Sequence, residues 1–416
     1  MSRVRWACAL SGALVFLGAG VAQAAPRWGR YHRSVCAAMA GEMHCLAQEA
    51  TTSPGGSPLA SNTPPAGSYG PAQLQAAYGL SAASGSKGAG ETVAIVDAYN
   101  EPYIRNDINK YRSQYGIAAI STSGSGAPSF TVVNQTGGTK LPRTDSGWGD
   151  EEALDVEMVS AICPSCSVVL VEASSPTIAN LDTAERTAQS YAGVVAVSNS
   201  WNGSEFSGEI GDDGYYGKHP TTVAAGDSGT GAAWPTTSPN VTAVGGTTLN
   251  LTSSNTRASE TVWSGGGSGC SAYEPEQPFQ SFLLSSPYGG CAHRAEADVA
   301  ADADPSTGVA VYDSCGDAYS YYFEPAPCAG SYGWQQFGGT SVATPIIASV
   351  FALAGDNNSS SGNAADAFLY AHDSSANFYD VTGGSNGSCS PSWICTADAG
   401  YDGPTGLGTP NGTGGF

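Results

Sequence analysis

Short apolar runs alternate with helical segments after about residue 70. Residues 91–96, 167–172, 194–198 and 222–225 are rich in valine and alanine and indicate strands. Residues 150–162 and 177–191 are predicted helices between them. Apolar strands separated by helices are typical of parallel strands that are buried on both faces of a sheet. The pattern predicts an α/β fold, in which ligands usually bind at the strand ends.

A further predicted helix begins near a serine. The segment Gly339-Thr340-Ser341-Val342-Ala343-Thr344-Pro345 is followed by residues 346–354, which are apolar on every side and indicate a buried helix. Unpaired backbone N–H groups and the helix dipole at such a start stabilise negative charge. They therefore favour loss of the proton from a serine oxygen and formation of an oxyanion beside it. Ser341 is therefore a candidate nucleophile, although an ordinary helix cap explains this segment by itself.

The charge of the chain limits its partners. Among 416 residues there are 15 lysines and arginines against 36 aspartates and glutamates, which gives a net charge of -21. Such a surface argues against nucleic acid and anionic membranes as partners. It suits an acidic medium, where carboxylates lose their charge.

The amino terminus predicts export. Residues 1–24 have a basic start, a mostly apolar stretch and the small-residue cleavage site Ala22-Gln23-Ala24, as in a secretory signal. No later run is long and apolar enough to span a bilayer. We therefore expect a secreted, extracellular protein.

The cysteine count supports disulfides. Of 11 cysteines, Cys8 leaves with the signal, and an even number in an exported chain indicates disulfide bonds. Proximity in the sequence suggests the pairs Cys36/Cys45, Cys163/Cys166, Cys270/Cys291, Cys315/Cys328 and Cys389/Cys395. A redox role for Cys163 and Cys166 is the alternative, but no thioredoxin-like pattern surrounds them.

Composition also suggests the domain organisation. Residues 51–70 are rich in Ser, Pro, Gly and Thr and are typical of a linker. They separate a short cysteine-containing segment from the rest. We therefore divide the mature chain into residues 25–70, a short amino-terminal segment and linker, and residues 71–416, a single large domain.

Two carboxylates lie on one face of the predicted helix 150–162. Glu151 and Asp155 are four residues apart, and Asp150 is a plausible cap at the helix start. Two ionised carboxylates at that spacing repel each other, so a shared proton is favoured. A solvated acidic helix start is the alternative interpretation. Asp227 is a third candidate, because a protonated carboxyl donates a hydrogen bond to an oxyanion; a simple turn residue is its alternative.

Five motifs occur in a fixed order along the chain. They are Glu151-x-x-x-Asp155, Gly226-Asp227-Ser228-Gly229, Val244-Gly245-Gly246-Thr247-Thr248, Gly339-Thr340-Ser341-x-x-x-Pro345, and Asp380-Val381-Thr382 with the stretch GYDGPTGLG at 400–408. Together they resemble the sedolisin family, the serine-carboxyl peptidases with a subtilisin-like fold. The resemblance covers about residues 70–411. It implies a three-layer domain with a central, mostly parallel β-sheet flanked by helices.

The resemblance also implies roles for single residues. Ser341 becomes the nucleophile, Glu151 its general base and Asp155 the residue that orients Glu151. Asp227 supplies the oxyanion-hole proton together with the backbone N–H of Ser341. A glutamate base with a pKa of about 4.3 still accepts a proton near pH 4, where a histidine does not. We therefore expect a monomer that acts on proteins or peptides and whose activity is limited to acid.

The same resemblance implies one structural calcium ion near the carboxyl terminus. Its ligands would be side-chain oxygens of Asp380 and Asp402 and backbone carbonyls of Val381, Asp398 and Gly400. Calcium prefers several hard oxygens of this mixed kind. The family usually has glycine where this chain has Asp398.

A substrate strand is expected after the third predicted strand. Ser198, Asn199, Ser200 and Trp201 would bind an extended peptide through backbone hydrogen bonds. Asp97 is taken as a structural residue near the site. Members of the family are typically made with a long folded propeptide, whereas the segment before the predicted catalytic domain here is only residues 25–70. We expect this segment to be a reduced propeptide or an extension that stays attached.

Two rival functions remain. A Ser-His-Asp peptidase needs a histidine base, and none of the five histidines lies in a Gly-Thr-His helix start. A catalytically inactive, secreted binding protein on the same scaffold is the alternative from another class.

Overall fold

The computed structural model describes Met1 and residues 31–56, 58, 60–123, 126–317, 328, 331–355 and 362–416. Apart from Met1, the predicted secretion signal lies outside the described residues. The helices are α1 (Pro71–Ala77), α2 (Ser81–Ser84), α3 (Ile104–Gln114), α4 (Ser146–Ile162), α5 (Ile178–Ser190), α6 (Thr340–Ala354) and α7 (Gly362–Ala371). The strands are β1 (Tyr31–Ser34), β2 (His44–Cys45), β3 (Gln48–Thr51), β4 (Thr92–Ala98), β5 (Phe130–Asn134), β6 (Ser167–Ala173), β7 (Val194–Asn199), β8 (Trp201–Ser204), β9 (Thr221–Ala224), β10 (Ala233–Trp234), β11 (Thr242–Leu251), β12 (Arg257–Val262), β13 (Gly269–Pro275), β14 (His293–Glu296), β15 (Val299–Asp302), β16 (Val309–Asp317), β17 (Ser331–Gly338), β18 (Phe378–Tyr379) and β19 (Thr409–Pro410).

A mostly parallel sheet forms the centre of the molecule. Its strands run in the order β12-β11-β9-β7-β4-β6-β5, and β15 also pairs with β11. β12 is antiparallel to β11, and the other neighbours are parallel. The four strands predicted from the sequence are β4, β6, β7 and β9, each within two residues of its expected bounds. The predicted α/β fold is confirmed.

Alternate residues of β4 face two different helical layers. Val93 and Ile95 pack in the core that contains residues of α4 and α6, whereas Ala94 and Val96 pack with residues of α5. Side chains two residues apart on a strand share a face. Asp97 therefore points to the same side of the sheet as α4 and α6.

Helix α4 begins four residues before the predicted start. Asp145 is its N-cap, and its side chain accepts a hydrogen bond from the Trp148 N–H at 3.1 Å. The prediction that Asp150 caps this helix is wrong, because Asp150 lies within the second turn and is fully buried. Every residue of α6 is buried, as its continuous apolar sequence predicts.

Residues 31–51 pair with the body of the protein on two sides. β2 adds to β8, and β3 adds to β17, both in antiparallel register. β1 folds back on β3. Further along, bridges join Ser61 to Trp334 and Tyr69 to Val309, so residues 60–70 run along the β16–β17 pair.

All five predicted disulfides form. The bonded pairs are Cys36–Cys45, Cys163–Cys166, Cys270–Cys291, Cys315–Cys328 and Cys389–Cys395. In the described part of the chain, no helix is long and apolar enough to cross a membrane.

Candidate active site

Ser341 lies in the first turn of α6 and is fully buried. Gly339 joins β17 to this helix with a φ of 95°, in the left-handed region that favours glycine. A Cβ at Gly339 would collide with the carbonyl oxygen of Leu46 and lie 2.7 Å from Asp227 Oδ2. Only glycine therefore leaves room for Leu46 and Asp227 beside the helix start.

Glu151 faces this helix start from α4. Its Oε2 atom accepts hydrogen bonds from the backbone N–H groups of Leu46, at 2.9 Å, and Ala47, at 2.8 Å. Burial raises the pKa of Glu151 well above its usual value, and the charge of Asp97 raises it further. Hydrogen bonds from the Ser341 hydroxyl and from Ala47 lower this pKa again, because they stabilise the charged form. Glu151 and Ser341 thus lie together.

Asp155 lies one helical turn after Glu151. Its Oδ1 atom accepts a hydrogen bond of 2.8 Å from the Ser200 hydroxyl. Burial raises the pKa of Asp155 well above its usual value, and the charges of Asp97 and Glu151 add to that effect. Three carboxyl groups therefore share one buried region, and they titrate as a unit.

Asp227 approaches the same place from the loop after β9. Its Oδ1 atom accepts hydrogen bonds from the backbone N–H and the hydroxyl of Thr340, both at 2.8 Å. Burial raises the pKa of Asp227 to about 7, against the opposing effect of hydrogen bonds from Thr340 and Gln48. The Asp227 carboxyl is consequently protonated at acid pH, next to the residue that precedes Ser341.

Asp97 belongs to this cluster as well. It is fully buried at the end of β4, and neither carboxyl oxygen has a hydrogen-bond partner in the described residues. Burial raises the pKa of Asp97 to about 8. The sequence predicted that Asp97 lies near the site. In the structure its side chain is on the sheet face against which α4, the helix of Glu151 and Asp155, packs.

The Ser341 hydroxyl donates a hydrogen bond of 3.4 Å to the Ser200 carbonyl oxygen. It also hydrogen-bonds to the Glu151 carboxylate. Within the described residues, no histidine is among its hydrogen-bond partners. The site therefore combines a serine at a helix start with buried carboxyl groups.

Three known proteins are similar to this chain in sequence. The chain is 34% identical over 220 residues to sedolisin from Pseudomonas sp. (strain 101), which is 50% of this chain and 33% of that protein. It is 26% identical over 375 residues to kumamolisin from Bacillus sp. (strain MN-32), which is 83% of this chain and 62% of that protein. It is 32% identical over 219 residues to xanthomonalisin from Xanthomonas sp. (strain T-22), which is 48% of this chain and 24% of that protein. The chain is therefore similar in sequence to sedolisin and to two further proteins, in line with the family resemblance of its motifs.

The fold is also similar to that of a solved structure. A solved structure of Pseudomonas sedolisin, a serine-carboxyl proteinase complexed with pseudo-iodotyrostatin, matches with a TM-score of 0.66 and 24% identity. The match covers 85% of this chain and 96% of that chain. No protein-family model matches the sequence. The aligned regions span between a quarter and about three fifths of the three relatives' own lengths.

The four predicted substrate residues turn their side chains inward. The Asn199 amide donates to Glu185, the Ser200 hydroxyl to Asp155, and the Trp201 indole N–H to the Val96 carbonyl. Ser198 is also fully buried. The main chain of Ser198 and Asn199 pairs within the central sheet, whereas that of Ser200 and Trp201 pairs with residues 45–46.

The predicted calcium ligands also come together. Asp380 Oδ2 accepts the Gly400 N–H at 3.0 Å, and Asp402 Oδ1 accepts the N–H and hydroxyl of Thr405. Asp402 Oδ2 is buried without a hydrogen-bond partner in the described residues. Burial raises the pKa of Asp402 to about 8, and the charge of Asp380 adds to this effect. An unpartnered, buried carboxyl oxygen beside a second carboxylate fits a cation.

Sequence reasoning missed the residues that cover the site. Leu46, Ala47 and Gln48 contact Glu151 or Asp227, yet nothing in their local sequence indicates it. The one available signal is the predicted Cys36–Cys45 disulfide, which shows only that this region is folded.

Proposed function

We propose that the protein is a secreted, acid-active serine-carboxyl endopeptidase that hydrolyses proteins or peptides through an acyl-enzyme. One observation carries the proposal: a buried serine at a helix start lies among the carboxyl groups of Glu151, Asp155 and Asp97, with Asp227 on the other side. In the proposed reaction the Ser341 oxygen attacks the peptide carbonyl and Glu151 takes its proton. Asp227 and the Ser341 N–H stabilise the oxyanion, and Glu151 returns the proton to the leaving nitrogen.

The hydrogen bonds that Glu151 accepts support it as the base. Glu151 accepts two backbone N–H groups and the Ser341 hydroxyl, all of which favour its charged form. Asp97 has no such donors among the described residues. These donors favour the charged form of Glu151, which is the form that a general base requires. Because burial raises its pKa, the low-pH limit of activity should lie above the value of about 4.3 expected for a free glutamate.

The test of this function is digestion of casein and of a synthetic peptide across pH 3 to 9. We expect a bell-shaped profile, and hydrolysis that is fastest at neutral or alkaline pH would overturn the assignment. A protein that binds peptides but cleaves none at any pH would instead be the inactive binding protein.

Asp227→Asn should change the alkaline side of that profile. In the parent protein, activity falls as pH rises through about 7, because Asp227 loses the proton that it donates to the oxyanion. An amide keeps a donor at every pH, so the alkaline limb should move upward by at least about one pH unit. Asp227→Ala, the matched control, should lose about 10²–10³ in kcat at all pH values. An unchanged alkaline limb in Asp227→Asn would contradict the role of Asp227.

We further propose that one calcium ion binds Asp380 and Asp402, with the backbone carbonyls of Val381, Asp398 and Gly400. The ion would offset the charge of the two carboxylates and fix the loop.

Chelation should therefore lower the melting temperature. An ion bound only by the folded state at about 1,000 times its Kd stabilises by about 4 kcal/mol. EDTA should clearly lower the melting temperature of the parent protein. In Asp402→Asn, EDTA should have no effect on the melting temperature. Asp304→Asn is the control, because Asp304 is held by Thr248 and Ser306 elsewhere. Identical melting curves with and without EDTA, together with no calcium by elemental analysis, would contradict the site.

A further inference from the structure

Residues 44–51, which contain β2 and β3, cross the candidate active site. On one side β2 pairs with β8, so that His44 lies opposite Asn202 and Cys45 opposite Trp201. On the other side β3 pairs with β17, with Gln48 opposite Gly338. The chain between them has no room to bypass the site, because only two residues join β2 to β3. Addition of a strand on both sides of a cleft is how extended peptides are bound.

The two joining residues, Leu46 and Ala47, present one peptide bond to the reacting groups. The Leu46 N–H donates to the Ser200 carbonyl at 3.2 Å, and the Ala47 N–H donates to Glu151 Oε2 at 2.8 Å. The Leu46 carbonyl oxygen lies at Gly339, beside Asp227. The nitrogen of this bond thus faces the proposed proton donor, and its oxygen faces the proposed oxyanion donor. A substrate bond needs this orientation.

A disulfide and a hairpin hold both sides of that bond. The Cys36–Cys45 disulfide ties the residue before Leu46 to Cys36. Just before Cys36, β1 pairs with β3, so Ser34 lies opposite Gln48. An ion pair of 3.0 Å between Arg33 and Glu49 adds to this pairing. Both ends would stay in place if the Leu46–Ala47 bond were cut, because the disulfide ties the Leu46 end to Cys36 and the Ala47 end continues into β3, which pairs with β1.

We propose that residues 31–51 are an inhibitor built into the chain, bound like a substrate with Leu46–Ala47 as its cleavable bond and kept bound by the Cys36–Cys45 bridge. This inference rests on the proposed function. In the forward step, Ser341 Oγ bonds to the Leu46 carbonyl carbon and its proton moves to Glu151. The C–N bond then breaks, and Glu151 gives the proton to the Ala47 nitrogen. Because the Ala47 amine stays beside the Leu46 acyl group, it competes with water and reforms the bond.

The first test removes the bridge from the full-length chain. The probe is a fluorogenic peptide containing His-Ser-Leu-Ala-Gln, which copies residues 44–48 with Ser for Cys45. Loss of a disulfide that closes a short loop should weaken the hold enough for Cys36→Ala/Cys45→Ala to raise the initial rate at acid pH at least about 10-fold. Cys163→Ala/Cys166→Ala is the matched control, since that disulfide lies at the far end of α4, and it should leave the rate unchanged. Equal initial rates for the parent and Cys36→Ala/Cys45→Ala would overturn the inference.

A second variant covers the case in which loss of the bridge prevents folding. Leu46→Gly removes the side chain next to the cleavable bond and should also raise the initial rate, whereas Met39→Gly, on the same loop but away from the bond, should not. Mass spectrometry of the parent after acid incubation should find a cut between Leu46 and Ala47. Under native conditions both fragments should elute together from a size-exclusion column. A cut elsewhere, or a fragment that leaves the parent at once, would overturn the inference.

The outcomes also separate this inference from the proposed function. If the parent and all variants, including Leu46→Gly, cleave neither the probe nor the chain, the peptidase assignment itself fails. If the parent cleaves the probe at full rate from the first minute with residues 31–51 intact, the peptidase assignment stands and the built-in inhibitor fails.

Discussion

Ser341→Ala is expected to reduce kcat for peptide hydrolysis by about 10⁴–10⁶, as loss of the nucleophile does in other serine peptidases. The reason is that the remaining groups, Glu151, Asp155 and Asp227, cannot form an acyl-enzyme. Alanine fits the buried helix start, since every residue of α6 is buried and only a hydroxyl is removed. The melting temperature should therefore change by no more than a few degrees.

The measurement is a progress curve with casein and with the fluorogenic peptide at acid pH. It should be made in the parent and in the Leu46→Gly background, so that the covering strand does not hide the difference. Ser349→Ala is the matched control, because Ser349 is a buried serine two turns further along the same helix. A Ser341→Ala protein with more than about a tenth of parental activity would show that the hydrolysis has another nucleophile.

The sequence predicted those parts of the fold that depend on local patterns. The four central strands are continuous apolar runs, and α6 is apolar all round, so each had to be buried. The cysteine pairs were correct because each bond closes a short loop, from 3 to 21 residues in separation. The start of α4 was misplaced because Asp145 and Asp150 are equally good caps by residue type, and the sequence alone does not distinguish them.

The parts that the sequence did not predict depend on long-range contacts. Glu151 is 104 residues from Ala47 along the chain, and the backbone N–H that contacts it carries no side-chain signal. Asp97 was placed near the site by its position at a strand end, but its effect on the Glu151 pKa requires the packing of α4 on the sheet. Trp201 was expected to contact substrate, yet its indole N–H is used by the Val96 carbonyl. Large aromatic side chains beside a cleft are frequently part of the core.

The same buried carboxyl groups make folding stability depend on pH. Burial raises the pKa of Asp97 to about 8 and that of Glu172, which is buried in β6, to about 9. Glu101 is raised to about 9 for the same reason. In the unfolded chain such groups titrate near 4. The folded state therefore binds more protons than the unfolded state between about pH 4 and pH 9, and its stability must fall as pH rises through that window.

The expected result is a melting temperature that is highest near pH 4 and lower by on the order of 10 °C or more at pH 8. Each carboxyl that stays protonated only in the folded state lowers the free energy of unfolding by about 1.4 kcal/mol for every pH unit across the window. Calorimetry with the Ser341→Ala protein avoids self-digestion during the scan. Glu172→Gln should flatten the dependence, since an amide releases no proton in either state, whereas Asp212→Asn, at a partly exposed position, should not. A melting temperature that is constant or rises from pH 4 to pH 8 would mean that these carboxyl groups are ionised in the folded protein. The neutral Asp227 on which the proposed chemistry depends would then lose its physical basis as well, because the same burial sets its pKa.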